Sequence, residues 1–115
     1  MIARVWDGST RSEDAETYWQ YLQETGVREC RKTPGNVGVQ VLRRIEGGEA
    51  QFRFISLWDS LESIRAFAGE DLEKAVYFPK DRQYLLALDP KVRHYEVLGD
   101  AVLAAHAAGG GCAVP

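Results

Sequence analysis

The stretch QFRFISLWDSLESIRAF, residues 51–67, constrains this chain more than any other. Phe52, Phe54, Ser56 and Trp58 alternate with Arg53, Ile55 and Leu57, the period of a strand with two distinct faces. At Asp59-Ser60 the period changes. Asp59 followed by Glu62 reads as a capping box, and Leu61, Ile64, Phe67 and Ala68 then fall at helical spacing. A strand that hands over to a helix through a tryptophan is therefore the predicted centre of the fold.

The preceding segments supply its neighbours. Residues 2–6 read as a first strand bounded by Asp7-Gly8. Thr10 to Glu13 reads as a second capping box, opening a helix with Ala15, Tyr18, Trp19 and Leu22 on one side and Gly26 just past its end. Residues 27–32 add a further turn before Thr33-Pro34-Gly35 stops it. Residues 37–45 form a valine-rich second strand. Gly47-Gly48 joins it to residues 49–58 as a hairpin, because glycine enters positive φ freely. After Gly69, Asp71 is a candidate cap for a short helix carrying Leu72, Ala75 and Val76. Pro79 opens another helix, with Tyr84, Leu85 and Leu88 buried. Residues 92–98 form the last strand, with His94 and Glu96 opposite Arg93, Tyr95 and Val97.

The order β-α-β-β-α-β predicts an α+β, ferredoxin-like split βαβ domain with a four-stranded antiparallel sheet and helices on one face. Residues 1–98 make that domain, and the Ala/Gly-rich residues 99–115 read as a C-terminal tail. Several strands carry apolar groups on both faces, which predicts a homodimer packed through the uncovered sheet faces.

Composition removes whole classes of function. A net charge of −3 from 14 basic and 17 acidic residues argues against nucleic acid. No basic run or long apolar segment suggests a membrane partner, and no secretory signal precedes the first strand. Cys30 and Cys112, without CxxC spacing, suggest reduced thiols in the cytoplasm. With two histidines, one of them in the tail, no metal site is defined, and no nucleotide-binding loop is present.

The segment SLWDSLESIRAFAG, the following Asp71-Leu72-Glu73-Lys74-Ala75, and the closing His94-Tyr95-Glu96-Val97 resemble the antibiotic biosynthesis monooxygenase family over roughly residues 1–98. The resemblance implies a dimeric α+β barrel with a pocket between the helices and one sheet face. It also implies oxidation of an aromatic or polyketide-type small molecule with O2 and no cofactor. Family members that degrade haem use an asparagine on the first strand, the tryptophan after the third, and a histidine on the following helix. Trp58 matches, but residues 2–6 contain no asparagine and residues 60–88 no histidine, with Tyr77 near where one is wanted. The haem reading is therefore set aside.

Cofactor-free oxygenation needs a base and donors for an oxyanion inside a dry pocket. Trp58 can donate its indole N–H, Tyr77 and Arg82 can hold negative charge, and His94 can act as base. Phe54, Ser56, Phe67, Phe78 and Tyr84 are the candidate substrate-binding residues. Each has a plainer alternative: Trp58 as a core residue with its N–H tied, His94 at the surface or an interface, Tyr77 and Phe78 packing a helix end, Arg82 on a solvated face. Two other functional classes stay open: a non-catalytic module binding a small hydrophobic ligand, and a cofactor-free isomerase or cyclase.

Overall fold

The computed structural model describes residues 1–101, so most of the expected tail lies outside the described residues. The four strands are β1 (Ile2–Arg11), β2 (Asn36–Glu46), β3 (Glu49–Trp58) and β4 (Arg93–Glu96). They form one antiparallel sheet in the order β2-β3-β1-β4. The helices are α1 (Ala15–Leu22), α2 (Arg28–Lys32), α3 (Leu61–Ala68) and α4 (Asp81–Tyr84). This is the split βαβ plan expected from the residue pattern.

β3 lies between β2 and β1 and has the cleanest two-faced pattern of the four strands. Ala50, Phe52, Phe54, Ser56 and Trp58 are all buried, while Glu49, Gln51 and Arg53 are exposed. Tyr18 and Leu22 of α1, Cys30 of α2, Ile64 of α3 and Leu85 complete the core on that face. Tyr18 packs edge-on against Phe52 at 5.2 Å between ring centres. The opposite face carries Ala3, Val5, Leu42, Ile55, Leu57 and Tyr95; Leu42 and Tyr95 are exposed and the rest half-buried.

The hairpin forms at Gly47-Gly48, whose φ values of 59° and 84° need glycine. Several element ends differ from the sequence reading. β1 runs on to Arg11, because its whole length pairs with β3, from Ile2↔Trp58 to Arg11↔Glu49. Asp7-Gly8 is thus inside a strand, and Thr10 is a buried strand residue whose hydroxyl donates to the Arg11 carbonyl rather than capping a helix. Gly26 does not end the first helix. It sits buried in a π-helical turn (Gln23–Val27) that joins α1 to α2, where a β-carbon would press on Phe54 at 3.1 Å.

At the strand–helix handover the cap is Ser60, which accepts the Ser63 N–H at 3.2 Å. Asp59 instead accepts from the Ser63 hydroxyl at 2.6 Å, and Glu62 pairs with Arg65. The helix expected after Asp71 is absent. Asp71 closes a turn onto the Glu73 N–H, and this part of the chain bonds to residues 90–92 through Ala75 N–H to the Pro90 carbonyl and Val92 N–H to the Glu73 carbonyl. Once those groups are satisfied by the neighbouring strand-like segment, a helix has no advantage. β4 is shorter than expected, since its partner β1 begins at Ile2, opposite Glu96.

Gly8 shows how β1 can carry a tryptophan at mid-strand. A β-carbon there would lie 2.3 Å from Cη2 of Trp6, whose ring lies over the glycine. Replacing Gly8 with Ala should expel that ring and lower stability by about 1–3 kcal/mol in urea unfolding. In the Trp6→Leu background the same change should cost far less, a non-additivity that a double-mutant cycle measures.

Candidate functional site

On the helix side of the sheet, a pocket opens between β1, the first helical segment and residues 76–81. Arg4 and Trp6 of β1 and Phe54 of β3 line its sheet side. Tyr18, Leu22 and Gly26 line the α1 side, Phe67 comes from α3, and Val76, Tyr77, Phe78 and Asp81 close it. Its cavity volume is small, about 40 Å³, and it is partly open to solvent.

Two charged residues stand out in this mostly apolar lining. Arg4 is only 5% exposed. Its Nη2 donates to the Lys74 carbonyl at 2.7 Å and its guanidinium lies 5.6 Å from the centre of the Phe67 ring. Nε is enclosed without a partner, and Arg4 makes no ion pair among the described residues. Burial lowers its pKa from the ordinary arginine value. Asp81, at 4% exposure, accepts from the Tyr18 hydroxyl at 2.9 Å and from the Phe78 N–H at 2.6 Å. Burial outweighs those two bonds and holds its carboxyl above the usual aspartate value.

Tyr77 joins the two sides of the pocket. Its hydroxyl accepts the Trp6 indole N–H at 3.1 Å and donates to the Asp89 carbonyl at 2.5 Å. The rings meet edge to face at 6.2 Å.

Of the residues singled out from the sequence, Tyr77, Phe54, Phe67 and Phe78 come together around this pocket. Trp58 does not. It is fully buried, stacked at 5.7 Å on Phe67, and its indole N–H donates to the Ser56 hydroxyl at 2.8 Å. Ser56 is consumed in the same arrangement and bonds in turn to the Arg4 carbonyl. His94 lies on β4 opposite Arg4 and lines a separate open hollow with Glu73 and Asp89. Burial and then the Arg4 charge lower its pKa, with Glu73 opposing, so it favours the neutral form. Arg82 is exposed on α4. Tyr84 packs on Tyr18 and Tyr21 outside the pocket. Arg4, Trp6, Tyr18 and Asp81 were not singled out for the site. The available clue was alternation, which puts Arg4 on the same face as Trp6.

The chain resembles solved structures in fold. One is a Nitrosomonas europaea protein assigned to the antibiotic biosynthesis monooxygenases: 12% identity, TM-score 0.61, covering 86% of this chain and all of that one. A Bacillus cereus protein with the same assignment gives 12% identity and TM-score 0.62 over 88% of this chain and 96% of that one. The heme-degrader MhuD of Mycobacterium tuberculosis, with two hemes in its active site, gives 19% identity and TM-score 0.54 over 89% of this chain and all of that one. No family profile and no curated protein matches the sequence.

The pocket does not fit haem. Its lining offers no histidine, cysteine or methionine, and the Tyr77 oxygen is held between Trp6 and Asp89.

Replacing Trp58 with Phe should lower stability by about 2–3 kcal/mol through the void and the stranded Ser56 hydroxyl. Ligand affinity of the folded protein should change little, as fluorescence titration at matched folded concentration would check. The chain thus has the fold of the antibiotic biosynthesis monooxygenases, with a pocket built around Arg4, Trp6, Tyr77 and Asp81.

Proposed function

We propose that the protein is a cofactor-independent monooxygenase acting on a phenol or anthrone-like aromatic small molecule in this pocket. The observation that carries the reading is the pairing of groups within one apolar lining: a buried guanidinium without a counter-ion and a buried carboxylate held toward its protonated form. A raised carboxyl pKa makes Asp81 a better base than an exposed aspartate, provided it is ionised. Arg4 can then stabilise the oxyanion that deprotonation creates.

With an anthrone the chemistry balances without a cofactor. Asp81 takes a proton from the methylene carbon, and the resulting enolate passes one electron to O2. The two radicals join in a C–O bond, and loss of water leaves the new carbonyl. The substrate supplies all four electrons that O2 accepts. Tyr77 holds Trp6 and the Asp89 backbone in place at the mouth and keeps the site shielded.

The small cavity volume favours a second reading, a module that binds a ligand without turning it over. Isomerase or cyclase chemistry would use the same base without O2. For the assembly we propose a homodimer through the face bearing Val5, Ile55, Leu57 and Tyr95, working in the cytoplasm. The buried free Cys30 suits a reducing compartment, and no described helix is long and apolar enough to cross a membrane.

Oxygen uptake by metal-stripped protein with anthrone is the test. Uptake should saturate with substrate and fall at least about 100-fold in Asp81→Asn. Its acid limb should be centred above the ordinary aspartate value, because Asp81 must lose its proton to act and burial raises its pKa. No uptake above the uncatalysed rate would overturn the oxygenase reading, and ligand-dependent solvent proton exchange without uptake would favour the isomerase class.

A further inference from the structure

We infer that the pocket holds its ligand as an anion, a small aromatic monoanion whose ionised oxygen head (a carboxylate, or the enolate left once Asp81 has taken the proton) sits on Arg4. This deepens the functional reading and rests on the same pocket being the ligand site. Arg11, Arg43, Arg44, Arg53 and Arg65 each pair with a carboxylate, and the other arginines apart from Arg4 are exposed to water. Arg4, nearly cut off from water, has none among the described residues. A buried charge is ordinarily paired.

The groups around Arg4 do not supply the missing charge. Ser56 and His94 face it across the two strand pairings. The Cys30 thiol is close enough to interact but is pushed up to about 12 by burial and stays neutral. His94 favours its neutral form. Asp81 shares the pocket but makes no ion pair with Arg4, its two oxygens being bonded to Tyr18 and Phe78. Among the described residues, only Nη2 of the guanidinium has a hydrogen-bond partner.

The lining defines the rest of the ligand. The pocket is partly open to solvent, so the anionic head can reach Arg4 while the aromatic body lies against the rings of Trp6, Phe54, Tyr77 and Phe78 that line it. One guanidinium balances one negative charge. A neutral aromatic of the same shape leaves Arg4 unpaired. The predicted discrimination is therefore by charge.

The test compares 2-naphthoate with 2-naphthamide by isothermal titration, using wild type, Arg4→Met and Arg4→Lys. Wild type should prefer the carboxylate at least about tenfold. Arg4→Met should bind the two alike, and Arg4→Lys, which keeps the charge without the fork, should retain part of the preference. Thermal unfolding of each variant verifies that it is folded. Wild type binding both compounds equally, or neither, would overturn the inference, as would an undiminished preference in folded Arg4→Met. A clear preference without oxygen uptake leaves the inference standing and removes the oxygenase. Uptake with equal binding does the reverse.

Discussion

The pairing of β1 with β3 is the constraint on which the rest of the molecule depends. Ten residue pairs run in unbroken antiparallel register, and Arg4↔Ser56 and Trp6↔Phe54 lie in the middle of it. Because successive side chains alternate, slipping β1 by one residue would send Arg4, Trp6 and Thr10 to the outer face and bring Val5 and Asp7 inward. The register is held from both sides. β3 also pairs with β2 along its length, and its buried row from Ala50 to Trp58 can face only the helices. The pocket floor is thus an outcome of sheet pairing, whereas its roof comes from residues 76–81 and depends on side-chain contacts.

Two tryptophans on the same sheet face have different roles, and position along the strand explains the difference. Trp58 stands where β3 ends and α3 begins. The helix folds back over it, so Phe67 covers its ring and Ser56, two residues earlier on the same face, takes its N–H. Trp6 stands at mid-strand, beside the space that α1 and α3 leave between them. Gly8 leaves room for its ring, and its N–H reaches across to Tyr77, 71 residues away. A residue at a strand–helix junction is enclosed by its own local structure. One at mid-strand is satisfied by whatever the tertiary fold brings opposite.

The same distinction separates what was legible in the sequence from what was not. The β3–α3 unit, the Gly47-Gly48 hairpin and the buried side of α1 rest on contacts between residues near in sequence, and periodicity reports those directly. The order of elements then leaves few topologies. Element ends were misread wherever a distant partner decided them: β1 is as long as β3 requires, and residues 71–76 bond to residues 90–92 instead of to themselves. In the site, the aromatic lining was partly legible, since Phe54, Phe67 and Tyr77 sit in apolar patterns. Arg4 and Asp81 were not. A charged residue in a strand or opening a short helix reads as surface, and only the register that sets Arg4 between Ser56 and His94, or the hydroxyl that Tyr18 brings to Asp81, reveals burial.

Those two residues also bear on whether the pocket is more than an imperfectly filled core. A packing role would be served as well by methionine at position 4 and would avoid the desolvation of a guanidinium. The space beside them stays open, and two of the aromatic residues that line it are tied to one another and to the Asp89 carbonyl. In so apolar a setting an unpaired charge interacts far more strongly with an incoming group than it would in water. The features that make this region costly to fold are therefore the ones that make it selective. On the proposed reading, an anion seated on Arg4 offsets the desolvation of its guanidinium, which is how a binding site differs energetically from a core.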